Sequence, residues 1–581
     1  MKHIKLFWIV FVILFLGCAR PAALNGSDTI NTTIVFDNTS ARITGPGAEF
    51  SNGLLTINQA GTYVLSGNLN NGRILTNVTR TDTVRFVLNG VYLHSETGPV
   101  IHAPRSREII IILEEGTENT INDGIHSRNE EHNSAIFVQH DLIIQGNGTL
   151  TVNGNYRHGI RAQDFLTLES GRINVTALGH AIRGRDGVII NNGILTLNAG
   201  DDGIQSNNPN SEDVGYITIT GGTFDIRAAN DGIQAESTLS ISGGTFNIVT
   251  GGGNANAPPR AIDFGGRGGL DRRGGFQLPQ TQTGESESMK GLKARTLLYV
   301  SDGNFTIDAA DDGIHSDSDI HIAGGTFVIK TGDDGIHADS NILISGGNIN
   351  ILESYEGIEG ITITITGGNI RVFARDDGMN AAGSRSLNDM FIRITGGNID
   401  VYALRDGIDS NGHIFLENGA LRVSGPSMIM EGAIDLDGQF IVTGGELITA
   451  GSVQTVSSNS TQPVILLSYS RQHPSGALIS IRDRNGNTLL EYTSETAFSY
   501  SGLTSPNFRT GETYTLFING SKETDIQLGS TITAISDTGG AYNAGMRGRG
   551  EMPQGSAIPP GGMMPRGVMP GSLPQGGRGR R

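Results

Sequence analysis

Along most of the chain, apolar and polar residues alternate in very short runs, such as Ile320-His321-Ile322 and Thr326-Phe327-Val328-Ile329. Alternation sends successive side chains to opposite sides of an extended backbone, so each run reads as a strand with one buried face. Such strands are too short to be stable as lone hairpins. Between them a Gly-Gly pair, followed by Thr or Asn and an apolar residue, recurs at Gly221-Gly222, Gly243-Gly244, Gly324-Gly325, Gly346-Gly347, Gly367-Gly368 and Gly396-Gly397. The pattern predicts strands joined by tight glycine corners.

A second phrase sets the period. Asp-Asp-Gly-Ile-His runs from Asp311 to His315 and again from Asp333 to His337, with variants around Gly203, Gly232, Gly357, Gly378 and Gly407. The apolar residue after each such glycine serves as an anchor: Ile160, Ile182, Ile204, Ile233, Ile262, Ile314, Ile336, Ile358, Met379, Ile408 and Ile434, with Ile101 and Ile136 as earlier members. Most steps are about 21 or 22 residues, and several of about 29 imply a loop at one corner. Three strands and three corners use roughly 22 residues, whereas a left-handed hexapeptide coil needs about 18 and a propeller blade about 40. The expected fold is therefore all-β, a right-handed parallel β-helix of about thirteen rungs, roughly 60 Å long at the usual strand spacing. Glycine is expected at corners that need positive φ.

The flanks break the period. Residues 25–95 form a β segment that includes Ala60-Gly61-Thr62-Tyr63-Val64-Leu65-Ser66-Gly67, expected to cap one end of a rod spanning 96–450, since open solenoid ends must be covered. Residues 251–291 are rich in Gly, Pro, Arg and Gln and read as a largely disordered insertion. Residues 463–535 keep strands without the repeat, as a small C-terminal β domain or cap, and 537–581 form a Gly, Met, Pro and Arg tail expected to be disordered. At the front, Lys2, His3 and Lys5 precede an apolar run from Leu6 to Leu16, too short to span a bilayer but ordered like an export signal ending at residue 17. Cys18, the only cysteine among 581 residues, follows it where bacterial lipoprotein signals place the lipidated thiol, although Phe15 stands where that pattern has leucine. An ordinary signal with an incidental cysteine is the alternative. Trp8, the only tryptophan, lies within the signal.

The net charge of −17 argues against nucleic acid as a partner of the main body and towards cations. Stacked rungs place Asp202, Asp231, Asp312, Asp334, Glu356, Asp377 and Asp406 in one column two residues before the anchors, with Asp201, Asp311, Asp333 and Asp376 beside it. Carboxylates about 5 Å apart repel by roughly 3 kcal/mol at an effective dielectric of 20. Calcium, which takes six to eight oxygen ligands, relieves that repulsion and ties rungs together. The plainer reading is that Asp-Gly is good corner chemistry. Asp317 and Asp339, three after their anchors, are further candidates.

The residue after each anchor is expected to point outward, giving a polar stripe through Arg161, Arg183, Gln205, Gln234, Asp263, His315, His337, Glu359, Asn380, Asp409 and Asp435. An extended sugar chain fits such a stripe; solvated surface fits it equally. His315 and His337 lack a further His or Cys to complete a transition-metal set.

The N-terminal phrases, with Val87-Leu88-Asn89-Gly90-Val91 and Ile111-Ile112-Leu113-Glu114-Glu115-Gly116-Thr117-Glu118-Asn119, together with the Asp-Asp-Gly-Ile-His and Ile-Ser-Gly-Gly repeats, resemble a known family over roughly residues 30–535. It is the family of bacterial surface proteins described as carbohydrate-binding domain-containing, similar to a calcium-binding β-helix that binds acidic sugars such as polygalacturonate. The resemblance implies calcium at the Asp-Asp-Gly positions and binding of an acidic polysaccharide; rungs before Ile204 lack the acidic pair. The leading expectation is a monomeric, surface-anchored, calcium-dependent binding module without catalysis. A calcium-assisted polysaccharide lyase is the enzyme alternative, with Lys330 or Arg227 as the base that such a β-elimination needs. A structural rod or adhesin is the third class.

Overall fold

The computed structural model describes residues 31–96, 98–124, 132–211, 213–257, 288–427 and 431–540. The export signal with Cys18, the anchor Ile262 with Asp263, and nearly all of the Gly/Met/Pro/Arg tail lie outside the described residues.

Regular structure among the described residues is β, apart from short 3-10 turns such as Asn254–Asn256. Each coil contributes three strands, and each strand pairs in parallel with its counterpart one coil on. Ile314–Ser316, Asp319–Ile322 and Thr326–Thr331 illustrate one coil. In the next, Ile336 lies beside Ile314, Ile342 beside Ile320, and Ile349 beside Phe327. The three stacks make three faces of a parallel β-helix, called here first, second and third in chain order. Because the pleat alternates, one side of every strand packs inward and the other looks out.

The inward residues form one continuous apolar core from Ile34 to Leu466. On the third face Phe224, Phe246, Phe305 and Phe327 stack with ring centroids 4.5, 4.6 and 4.6 Å apart and planes within 6° of parallel. That spacing is the strand spacing itself. On the first face the anchors stack in register from Ile101 through Ile136, Ile160, Ile182, Ile204 and Ile233. There the expected order changes. Ile233 pairs with Leu292, and Leu292 with Ile314, so Leu292 takes the rung expected for Ile262.

Glycine serves two purposes, of which only one was expected. Gly325 turns its corner at φ +94°, where a Cβ is strained. Gly313, in an Asp-Asp-Gly phrase, does not have a positive φ; a Cβ there would lie 2.7 Å from the Gly335 carbonyl oxygen and 2.7 Å from Ile329 Cγ2. The ladder glycines are small because the next coil passes directly beside them.

Parallel pairing reaches back into the N-terminal segment, where Leu54–Ile57 pairs with Arg73–Thr76, and Arg73–Thr76 with Ile101–Ala103. At the other end Val464–His473 and Phe498–Thr504 pair antiparallel. A separate four-stranded antiparallel sheet, including Leu478–Arg482 and Thr513–Ile518, has its own apolar cluster around Phe498, Leu503 and Phe508.

Candidate functional site

Leading into the first face, the column two residues before the anchors is a hydrogen-bonded ladder. Its aspartates accept a hydrogen bond from the backbone N–H of their counterparts one coil on. Asp202 Oδ1 accepts from Asp231 N–H at 3.0 Å, Asp312 Oδ1 from Asp334 N–H at 3.1 Å, and Asp334 Oδ1 from Glu356 N–H at 3.4 Å. Asp377 Oδ1 accepts from Asp406 N–H at 3.0 Å, and Asp406 Oδ1 from Gly432 N–H at 2.6 Å. The same column extends to rungs without acid. His158 Nδ1 accepts from His180 N–H at 3.0 Å, and His180 Nδ1 from Asp202 N–H at 3.2 Å, with the two rings stacked 4.7 Å apart. Burial, then neighbouring charges including the Arg183 guanidinium, holds His180 neutral, down to about 3, and burial followed by His180 and Arg183 takes His158 to about 2. With Nδ1 accepting, the ring proton of His180 sits on Nε2, 3.3 Å from Asp201 Oδ2. At most rungs the column supplies an acceptor, which aspartate provides and neutral histidine also provides.

The outward stripe is continuous in register: Arg161, Arg183, Gln205, Gln234, Lys293, His315, His337, Glu359, Asn380, Asp409 and Asp435 lie side by side along eleven coils. Lys293 occupies the place expected for Asp263. The stripe is recessed rather than flat, with Gln205 9%, His315 8% and Asn380 9% exposed. It leans onto the acceptor column: Gln205 Nε2 donates to Asp202 Oδ2 at 2.7 Å, and Asn380 Nδ2 to Glu356 Oε2 at 3.0 Å. The two columns are one interlocked polar seam.

Calcium is not needed to neutralise the middle of the seam, contrary to the expectation from charge repulsion. Lys290 stands in the acceptor column, and its Nζ lies 2.6 Å from Asp312 Oδ2 and 3.0 Å from Asp311 Oδ2. Asp231 takes the Lys290 N–H at 2.8 Å and the Ser288 hydroxyl at 2.7 Å, with Lys293 Nζ 3.6 Å away. His315 is bound through both nitrogens, Nδ1 2.8 Å from Asp312 and Nε2 3.0 Å from Asp317, an arrangement that suits imidazolium. Burial opposes that charge, but the two carboxylates outweigh it and raise the His315 pKa. His337 Nδ1, 3.2 Å from Asp334, is raised in the same way against its burial. Burial likewise works against the Asp312 carboxylate, yet His315 and Lys290 hold it well below the usual range. Asp317 and Asp339 thus serve as histidine partners, Asp339 Oδ1 lying 3.5 Å from His337 Nε2.

Among the described residues four trios could bring ligand atoms within 4.8 Å of one another: Asp311, Asp312 and Asp333; Asp312, His315 and His337; Asp334, His337 and Glu359; and His180, Asp201 and Asp202. Asp312 therefore supplies the third group that the His315–His337 pair lacked in the sequence. Only the first trio is all oxygen, and Lys290 already sits on it.

Towards the C-terminal end of the seam the balance changes. Arg405 pairs with Asp376 at 3.0 Å and Glu431 at 3.3 Å, but among the described residues no cation pairs directly with Asp377 or Asp406. Burial first, then Asp406, Asp409, Glu356 and Asp376, pushes Asp377 up to about 9; burial, then Asp409, Asp435 and Glu431, pushes Asp406 to about 7 against its hydrogen bond from Gly432. Glu359 is raised by burial and by Glu356 and Asp334. At the other end of the acidic stretch Asp202 reaches about 8 through burial, Asp231 and Asp201. These are oxygen donors of the kind a hard cation takes, but Asp377 and Asp406 belong to none of the four trios, so an ion there would need further oxygens from a ligand to replace the proton that burial favours.

Lys330 and Arg227 are elsewhere. Both are exposed on the third face, Arg227 beside Asn198 and Val249, Lys330 beside Asp308 and, across a bulge, Glu353. Neither makes an ion pair with a seam carboxylate among the described residues. Sequence reasoning missed Lys290, Lys293, His158 and His180. The signal was present in the shared position two before, or one after, an apolar anchor, but the search was keyed to acid.

A profile of the family described as "Carbohydrate-binding domain-containing protein" matches residues 51–335 and 333–465, more than half the chain. A protein of that description from Acetivibrio thermocellus is 31% identical over 167 residues, 28% of this chain; the chain spans 58% of that relative's length. A solved structure, the polysaccharide lyase-like protein from C. thermocellum as a gadolinium derivative, is 31% identical with a TM-score of 0.37, the match covering 38% of this chain and 91% of that one.

Proposed function

The chain belongs to the carbohydrate-binding domain-containing protein family, and from that premise we propose that it is a non-catalytic, calcium-dependent binder of acidic polysaccharide, held at the bacterial cell surface by lipid on Cys18. The observation that carries the reading is the recessed seam, whose donors and acceptors repeat at every coil for the length of the rod. A strand-to-strand step is comparable to one linked sugar, so successive rungs can meet successive residues of an extended chain. Calcium belongs at the acidic end, on Asp377 and Asp406, with Asp376, Asp409 and Asp435 close by. There a cation bridges protein carboxylates to sugar carboxylates. The histidine and lysine rungs between carry their own neutralising charge and take no ion. The molecule acts as a monomer, and its acidity excludes nucleic acid. No specific observation favours the lyase, because Lys330 and Arg227 lie on another face.

The test is calorimetric titration with calcium and then with polygalacturonate, before and after chelation. Calcium uptake followed by sugar binding is expected, both lost in an Asp377→Asn, Asp406→Asn double variant. Equal sugar binding with and without chelator would remove the calcium bridge. Ultraviolet-absorbing unsaturated product, lost in Lys330→Ala, would restore the lyase.

A further inference from the structure

The N-terminal end of the seam carries charge of the opposite sign. Arg161 and Arg183 are register partners on adjacent first-face strands, with Arg157 and Arg185 close enough to act on Arg161. Arg161 is held in place. Its Nη1 donates to Asn133 Oδ1 at 2.7 Å and its Nη2 to Gln163 Oε1 at 3.2 Å, and the guanidinium lies 5.6 Å over the Phe137 ring. All these partners are neutral. The Arg183 side chain makes no hydrogen bond or ion pair with any described residue, and the buried Nε of both arginines lacks an acceptor. Asp201 and Asp202 are near enough to favour the Arg183 charge, but their direct partners are others: Asp201 with His180 and Asn230, Asp202 with the Asp231 N–H and Gln205. His158 and His180, packed beneath, are neutral and add no charge. Crowding lowers Arg161 to about 10, burial first and then Arg183, Arg157 and Arg185.

A fixed guanidinium stacked under an unpartnered one is a half-built anion site, because the fork of an arginine matches the two oxygens of a carboxylate or sulfate. We propose that Arg183, backed by Arg161, forms an oxyanion subsite at this end of the seam that takes the carboxylate or sulfate substituent of a glycan directly, without calcium. The proposal rests on the reading of the seam as a glycan site and assigns the chemical class of one subsite. Arg183 is the contact residue; Arg161 is a positioning residue that keeps the local potential positive. A chain bound along the whole seam would then be gripped by arginine at one end and by calcium at the other.

The experiment uses the full chain in excess chelator at low salt, so that calcium-mediated binding is silent. Oligogalacturonate, a sulfated dextran of similar length, a neutral dextran and inorganic sulfate are titrated by calorimetry, and melting temperatures are recorded with each. The expected result is salt-sensitive binding of both anionic glycans, at least about tenfold weaker in Arg183→Gln, intermediate in Arg183→Lys, and unchanged in Arg172→Gln on the third face. Sulfate should raise the melting temperature of the parent protein and not that of Arg183→Gln. The variant, relieved of like-charge crowding, should melt no lower than the parent, which separates loss of binding from loss of fold. If only sulfate discriminates parent from variant, the subsite stands and the glycan reading falls. Equal binding by parent and Arg183→Gln, or no anion effect on the parent, would overturn the subsite.

Discussion

From Ile160 to Ile408 the position two before the anchor takes Asp, Glu, His or Lys, and the hydrogen bonds explain what most of them share: an acceptor aimed at the next coil's N–H, to which an aspartate adds a charge. Asparagine keeps the acceptor and drops the charge, so Asp377→Asn should raise the melting temperature in chelator at pH 8 by about 1 °C for each ~1 kcal/mol gained, while weakening calcium uptake. A lower melting temperature would mean that Asp377 already has a compensating cation. Gly313→Ala should behave oppositely: its methyl would meet the Gly335 carbonyl and Ile329, a cost of about 1–3 kcal/mol by overpacking, measurable as a drop in the urea midpoint. Gly476→Ala, with open space around its Cβ but φ +81°, should cost about 1 kcal/mol or less from backbone strain alone.

At the scale of elements, alternation and the glycine corners were legible in the sequence because strands need period two and corners need glycine whatever the context. The coil at Leu292 was not, because Lys290-Gly291-Leu292 shares only its glycine with Asp-Gly-Ile. Leu292 nevertheless stands the ordinary ~22 residues ahead of Ile314, and His158-Gly159-Ile160 shows that the phrase tolerates a non-acid. The charge state of the seam was likewise hidden, since which carboxylates meet Lys290 or His315 depends on register. Lys290→Met tests the pairing. Removing one partner of a buried ion pair costs about 3–5 kcal/mol, and the trio of Asp311, Asp312 and Asp333, left without its lysine, should then gain affinity for calcium. A loss of stability that added calcium partly reverses is the expected outcome; an unchanged melt would show the lysine to be dispensable.

For the whole molecule, buried groups set the response to pH. Asp377, Asp202 and Asp406 have folded pKa values of about 9, 8 and 7, above the unfolded value near 3.9. The stability that they contribute is therefore present at low pH and lost as pH rises through those values. His337 and His315, also raised, lose theirs in the same direction once pH exceeds the unfolded value near 6.5. His158 and His180 are depressed, so their contribution is present above about 6.5 and fades as pH falls, offsetting the aspartates there. Stability in chelator should change comparatively little between about pH 4 and 6.5, where the two sets oppose each other, and fall steeply between about pH 6.5 and 9 in chemical denaturation, and calcium should flatten that alkaline limb. A curve that rises to pH 9 would contradict the buried charges.

The acceptor column also contains its own full stop. Asp406 reaches forward to Gly432 N–H, but glycine offers nothing to the coil beyond, and Ser452 lies against it where a Cβ would go. Each coil templates its successor, so a rod built this way could in principle recruit further copies end to end into a fibre. A missing side chain at the last step withholds the template, and Gly432→Asp would restore it, crowding Ser452 and reopening the question of how long the rod should grow.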